Sequence, residues 1–138
     1  MKILMALMGL NIGGAETHVL ELSKELCRMG HEIVVASAGG VFVKELEDSG
    51  VRHIYVPLNT KSPVAVIKSY FSLKKLIQNE DFDVVHAHAR IPAFILGFLQ
   101  RKMHFRFVTT AHLNFRVNPL FRLFSNWGDR TLAVSEDI

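Results

Sequence analysis

Three groups of residues in this chain have types and spacings that could do chemistry. The first is a glycine turn, Gly9-Leu10-Asn11-Ile12-Gly13-Gly14, set between the apolar run Ile3 to Met8 and an amphipathic segment that opens Ala15-Glu16-Thr17. Free backbone N–H groups and the positive dipole end at the first turn of a helix suit phosphate or carboxylate, and glycine lets a ligand come close to the backbone. The second group is His86-Ala87-His88-Ala89-Arg90, after the apolar Val84-Val85, and the third is His112, after Thr109-Thr110-Ala111. In open α/β sheets ligands bind beyond the carboxyl ends of the strands, where both runs finish. Strand alternation puts His86 and His88 on one side. Packing alone gives no reason for a glycine turn, three histidines and an arginine to meet at one rim.

The turn excludes two phosphate chemistries. A P-loop needs lysine and a hydroxyl residue directly after its last glycine, where this chain has Ala15 and Glu16. A dinucleotide fold needs Gly-x-Gly-x-x-Gly and an acid after the second strand, where this chain has Gly9-x-x-x-Gly13-Gly14 and Ala36-Ser37-Ala38-Gly39. What remains is a strand-to-helix turn whose Glu16 complements the dipole; taken alone, it is satisfied equally by a purely structural role and by a ligand. His86-x-His88 is also a metal-ligand spacing, and with His112 it would make a three-histidine zinc site. Arg90 stands where the corresponding hydrolases carry an acid, and a cation there repels the metal, so no metal is expected. Singly, His88 reads best as a residue that bonds a neighbouring loop. His18, His31, His53 and His104 read as structural or exposed.

The elements that must position these groups follow from periodicity. Strand-length apolar runs recur at Ile3 to Met8, Ile33 to Ala38, Val51 to Val56, Val84 to Ala87, Phe107 to Ala111 and Thr131 to Val134. Helical patterns alternate with them. The first places Val19, Leu22, Leu26 and Met29 on one face and stops at Gly30. Others run from Val41 to Ser49, from Pro63 to about Gln78, and from about Pro92 to Gln100. Strands apolar on both faces and alternating with helices predict an α/β, doubly wound, Rossmann-like parallel sheet.

Composition bounds the class. With 138 residues, 49% of them apolar, the chain forms one domain and is not disordered. The single cysteine, Cys27, allows no internal disulfide and suits a reducing cytosol. The opening apolar run is strand-length with one lysine, which argues against a signal peptide, and no run approaches the roughly 20 apolar residues of a membrane span. From Arg90 to Arg130 there are seven Lys or Arg residues against one acid, and seven of the ten phenylalanines. Cations interleaved with aromatics from Phe115 to Phe124 predict contact with an anionic membrane surface; no nucleic-acid module is recognised, and no nucleic-acid partner is expected. Ser135-Glu136-Asp137 is a helix start whose helix does not follow, which points to a piece of a larger protein.

Strand, Gly13-Gly14-Ala15-Glu16, helix, Asp83-Val84-Val85-His86-Ala87-His88, Val108-Thr109-Thr110-Ala111-His112 and Leu132-Ala133-Val134-Ser135 follow one another in an order that resembles the N-terminal domain of retaining GT-B glycosyltransferases of family 4. The resemblance spans the whole chain. It implies that residues 1–138 are the acceptor-side half of a two-domain GT-B architecture, whose C-terminal, donor-binding half would be the missing intramolecular partner. The reaction implied moves a sugar, with retention, from a nucleotide-sugar to a glycan, lipid-linked or small-molecule acceptor, without a cofactor. By resemblance Gly13 and Gly14 approach the donor diphosphate, and His112 contacts the donor sugar as the catalytic residue. Asn11, Thr17, His86, His88, Arg90 and Thr110 fall on the acceptor side. The setting implied is cytoplasmic, peripheral on the inner face of the membrane. The reading from another class is a non-catalytic Rossmann-like binding domain.

Overall fold

Apolar side chains on both faces of each short strand require cover on both sides of the sheet. The computed structural model describes residues 1–111 and 130–133 and meets that requirement with six strands: β1 (Lys2–Ala6), β2 (Glu32–Ser37), β3 (Arg52–Tyr55), β4 (Val84–Ala87), β5 (Arg106–Ala111) and β6 (Arg130–Ala133). All pairings are parallel, in the order β3-β2-β1-β4-β5-β6. Among the described residues four helices connect β1 to β5 in turn: α1 (Gly14–Arg28), α2 (Val43–Asp48), α3 (Pro63–Asn79) and α4 (Arg90–Gln100).

The sheet divides the core in two. Ile3, Met5, Ile33 and Val35 pack with Val19 and Leu20 of α1 and Leu46 of α2. Leu4, Val34, Val85, Ala87 and Phe107 pack with Leu73 and Ile77 of α3 and Ile95, Leu96 and Leu99 of α4. Helices α1 and α2 therefore cover one face and α3 and α4 the other. Because successive crossovers keep one hand, the change of face accompanies the jump from β3 over to β4. Strand order reverses between β1 and β4, and that switch point is where such sheets open a crevice.

The expected elements are present, with shifted ends. Helix α4 begins two residues before Pro92, which occupies the first turn, where its missing N–H leaves no bond unmade. Met29 is a correction. It is 64% exposed, and the buried stripe of α1 is Val19, Leu20 and Ser23, with Leu22, Leu26 and Cys27 partly covered. The helix ends at Arg28, and Gly30, at φ 95°, turns the chain toward β2, leaving Met29 on the turn. At the amino edge of the sheet, Lys2 Nζ lies 2.8 Å from Glu80, and the Lys2 backbone N–H donates to Asp83 Oδ2 at 2.7 Å. Asp83 thus stands at the edge opposite the strand ends that carry the candidate residues.

Candidate active site

At the carboxyl edge the chain leaves β1 through Leu7 to Gly13, and this loop is stitched to the loop after β2. Leu7 N–H donates to Ala36 O, Ala38 N–H to Met8 O, Leu10 N–H to Gly39 O and Phe42 N–H to Leu10 O, all at 2.9–3.1 Å. Asn11 adds a side-chain stitch, its Oδ1 accepting from Val41 N–H at 3.3 Å. Such close apposition admits only glycine at position 40. Its φ is 153°, and a Cβ there would fall 2.5 Å from Leu10 O and 2.6 Å from Asn11 N. Below this loop, Ser37 Oγ accepts the Gly39 N–H at 3.1 Å and pairs with His53 Nε2 at 2.7 Å. Burial pushes the His53 imidazole below its ordinary pKa, against the opposing pull of Glu47.

The two glycines that open α1 differ in what they serve. Gly13 is extended, at φ 176°, and its carbonyl receives the Thr17 N–H at 3.0 Å. A Cβ on Gly13 would strike the Glu16 carboxylate, which folds back over the start of the helix. A Cβ on Gly14 would meet nothing within 4 Å, and its φ is not positive. Neither backbone strain nor a neighbour within the described residues explains Gly14. An open approach to the backbone at a helix N-terminus is what an incoming anionic group needs.

Across the switch point, alternation along β4 sends Val85 and Ala87 toward α3 and α4 and His86 and His88 toward α1. The two imidazoles lie 3.9 Å apart, centroid to centroid, inclined by 31°. His88 N–H donates to Ala6 O at 2.9 Å, tying the start of the β4–α4 loop to the end of β1. His86 Nε2 and Thr110 Oγ1 of β5 are 2.6 Å apart. His86, His88 and Thr110 are all buried, at the carboxyl ends of β4 and β5 beside the switch-point crevice. Arg90, the first residue of α4, is exposed at its rim, as are Asn11 and Thr17. His112 and the segment from Phe115 to Phe124 lie outside the described residues.

One member of this cluster was not anticipated. His18, four residues into α1, is half-buried with its ring 5.9 Å from that of His88. No motif in the sequence singles it out, because the contact exists only once α1 packs on the sheet. Among the described residues no three His, Cys, Asp or Glu side chains are grouped to hold a metal ion. The arrangement offers helix N–H groups for an anion, an open glycine, and two buried imidazoles at the neighbouring strand end. That is equipment for binding and orienting a polar, anionic substrate.

Residues 12–138 match the model of Glycosyltransferase Family 4. The chain belongs to that family. Among similar proteins, it is 33% identical over 86 residues to the phosphatidylinositol N-acetylglucosaminyltransferase gpi3 subunit of Schizosaccharomyces pombe, covering 57% of this chain and 19% of that one. It is 36% identical over 83 residues to the phosphatidyl-myo-inositol mannosyltransferase of Mycolicibacterium smegmatis, covering 55% and 21%. The solved glycosyltransferase from Rickettsia africae superposes over 97% of this chain and 36% of its own, with a TM-score of 0.80 and 27% identity. The chain spans about a fifth to three-tenths of the length of the curated relatives it matches. It is therefore a family 4 domain with the Rossmann-like fold of one GT-B half.

Proposed function

We propose that this chain is the acceptor-side, N-terminal half of a retaining glycosyltransferase that moves a sugar from a nucleotide-sugar to a glycan, lipid-linked or small-molecule acceptor. The observation that carries the reading is Gly14, open at the first turn of α1 and facing nothing within 4 Å, at the same sheet edge as the buried His86 and His88. As the glycosidic bond to the diphosphate breaks, negative charge grows on the leaving group and positive charge on the sugar ring. The N–H groups at Gly13 and Gly14 and the positive end of α1 stabilise the first. His112, immediately after β5, orients the sugar hydroxyls as a neutral imidazole. Arg90, Asn11 and Thr17 at the rim receive the acceptor, and the buried His86, His88 and Thr110 hold the shape of the crevice. The donor's nucleotide is gripped by a second domain closing over this edge. The two similar proteins named for phosphatidylinositol substrates support a setting at the cytoplasmic face of a membrane, reached peripherally; no helix among the described residues is long and apolar enough to cross one.

The test is a screen of UDP-, GDP- and ADP-sugars with the two-domain enzyme, the product anomer being read by NMR. One donor is consumed, with its anomeric configuration kept. Consumption by the 138-residue chain alone, or inversion, overturns the assignment.

A further inference from the structure

The outer faces of α3 and α4 carry a second apolar stripe beyond the one they bury. On α3, Val64, Ile67 and Phe71 recur at helical spacing and are 64%, 57% and 58% exposed; on α4, Phe94 and Phe98, one turn apart, are 37% and 45% exposed. The two helices pack side by side. The Phe94 and Phe98 rings meet edge to face at 5.0 Å. A groove of about 380 Å³ runs between the helices, with Ile67, Phe71, Phe94 and Phe98 all on its walls. A globular helix needs one inward stripe, and Leu73, Ile77, Ile95, Leu96 and Leu99 already supply it. A contiguous exposed patch of this kind marks an interaction surface.

Charge selects the occupant. Helices α3 and α4 carry Lys68, Lys74, Lys75 and Arg90 without a single carboxylate, and Arg101 and Lys102 follow directly. On the other side of the sheet, α1 and α2 carry six carboxylates against three cations. Lys68 and Lys75 flank Phe71 at helical spacing, the Arg101 guanidinium lies 5.4 Å from the Phe98 ring centroid, and Lys102 lines the groove. Apolar side chains ringed by cations, on two helices that carry no acid between them, fit an anionic lipid surface. The aromatics enter the headgroup boundary while the lysine stems reach out to the phosphates. A second copy would meet this patch cation to cation, or through its acidic α1–α2 face in a contact that does not close. The patch also begins at the functional edge, because Val64 lies in the first turn of α3, where that helix leaves the carboxyl side of the sheet.

We propose that the α3–α4 face docks the chain on an anionic lipid bilayer through Phe71, Phe94 and Phe98 and the surrounding Lys68, Lys75, Arg101 and Lys102. This rests on the membrane part of the function proposed above and assigns it to residues other than Phe115 to Phe124. The test is co-sedimentation of the full chain with phosphatidylcholine vesicles made with and without phosphatidylserine. The chain partitions to the anionic vesicles only, and added salt releases it. Lys68→Glu with Lys75→Glu, and separately Phe71→Ser with Phe98→Ser, lower that partition at least tenfold with unchanged far-UV circular dichroism, each cation near such a surface counting for about fivefold. If the phenylalanine pair disturbs the fold, the exposed lysine pair decides alone. Binding that survives these changes but is lost in Phe121→Ser with Phe124→Ser overturns the assignment and leaves the membrane reading standing. No vesicle binding at all overturns both. Concentration-dependent dimerisation abolished by Phe71→Ser replaces the bilayer with a second copy.

Discussion

Replacing Gly14 with alanine separates a glycine kept for the fold from one kept for a ligand. Position 14 is the first residue of α1, without positive φ, and an added methyl would meet nothing within 4 Å. For the free chain the substitution only narrows the unfolded ensemble, stabilising it by about 0.4–1 kcal/mol. With an unfolding entropy of about 2.1 cal/mol/K per residue, that raises Tm by about 1–3 °C for a chain of this size. If a diphosphate approaches the same backbone, the methyl takes its space, and overpacking of this kind costs about 1–3 kcal/mol, or about 5- to 150-fold in affinity. The assays are a thermal melt of the chain and the KM for the nucleotide-sugar in the two-domain enzyme. A raised Tm with a raised KM is expected. An unchanged KM would show that no ligand reaches Gly14, and a lowered Tm would show that the space is not open. Gly13 is a poorer probe, since its added methyl collides with the Glu16 carboxylate inside the chain.

Other outcomes follow from the same geometry. Gly40→Ala must fit a methyl against the Leu10 carbonyl at φ 153°, and should destabilise by about 3 kcal/mol or more, measured by urea denaturation. Thr110→Val removes the partner 2.6 Å from the buried His86 Nε2 and should cost about 1–3 kcal/mol, whereas Thr110→Ser should keep most of it. His53 has a lowered pKa in the fold because of burial. The unfolded chain therefore binds the proton more readily, so this contribution is full above about pH 6.5 and falls away as pH drops through the folded value. Urea melts across that range should show a slope that His53→Asn flattens.

Periodicity alone placed the strands and helices within a few residues, because β1, β2 and β4 are buried almost throughout and the crossovers between β1 and β5 run through helices. Met29 was misassigned because its spacing continues the apolar stripe of α1 while its conformation belongs to the turn that Gly30 makes. The site was legible where strand alternation governs it, as with His86 and His88. It was not legible where it depends on contacts between loops distant in sequence. Nothing in the isolated segment Ala38-Gly39-Gly40 says that Gly40 must let Leu10 come close, and the approach of the His18 ring to that of His88 appears only once α1 packs on the sheet. The α3–α4 patch was missed for a related reason: each helix alone is simply rich in apolar residues, and only the packed sheet shows which of them remain outside.

The central claim is that the carboxyl edge of this sheet forms one wall of a sugar-transfer site, and His112 gives it the most direct measurement. In the two-domain enzyme, His112→Ala should lower kcat for nucleotide-sugar consumption by about a hundredfold or more, on the scale of losing one positioned polar group, while the melting temperature stays put. Transfer at the unsubstituted rate would contradict the account.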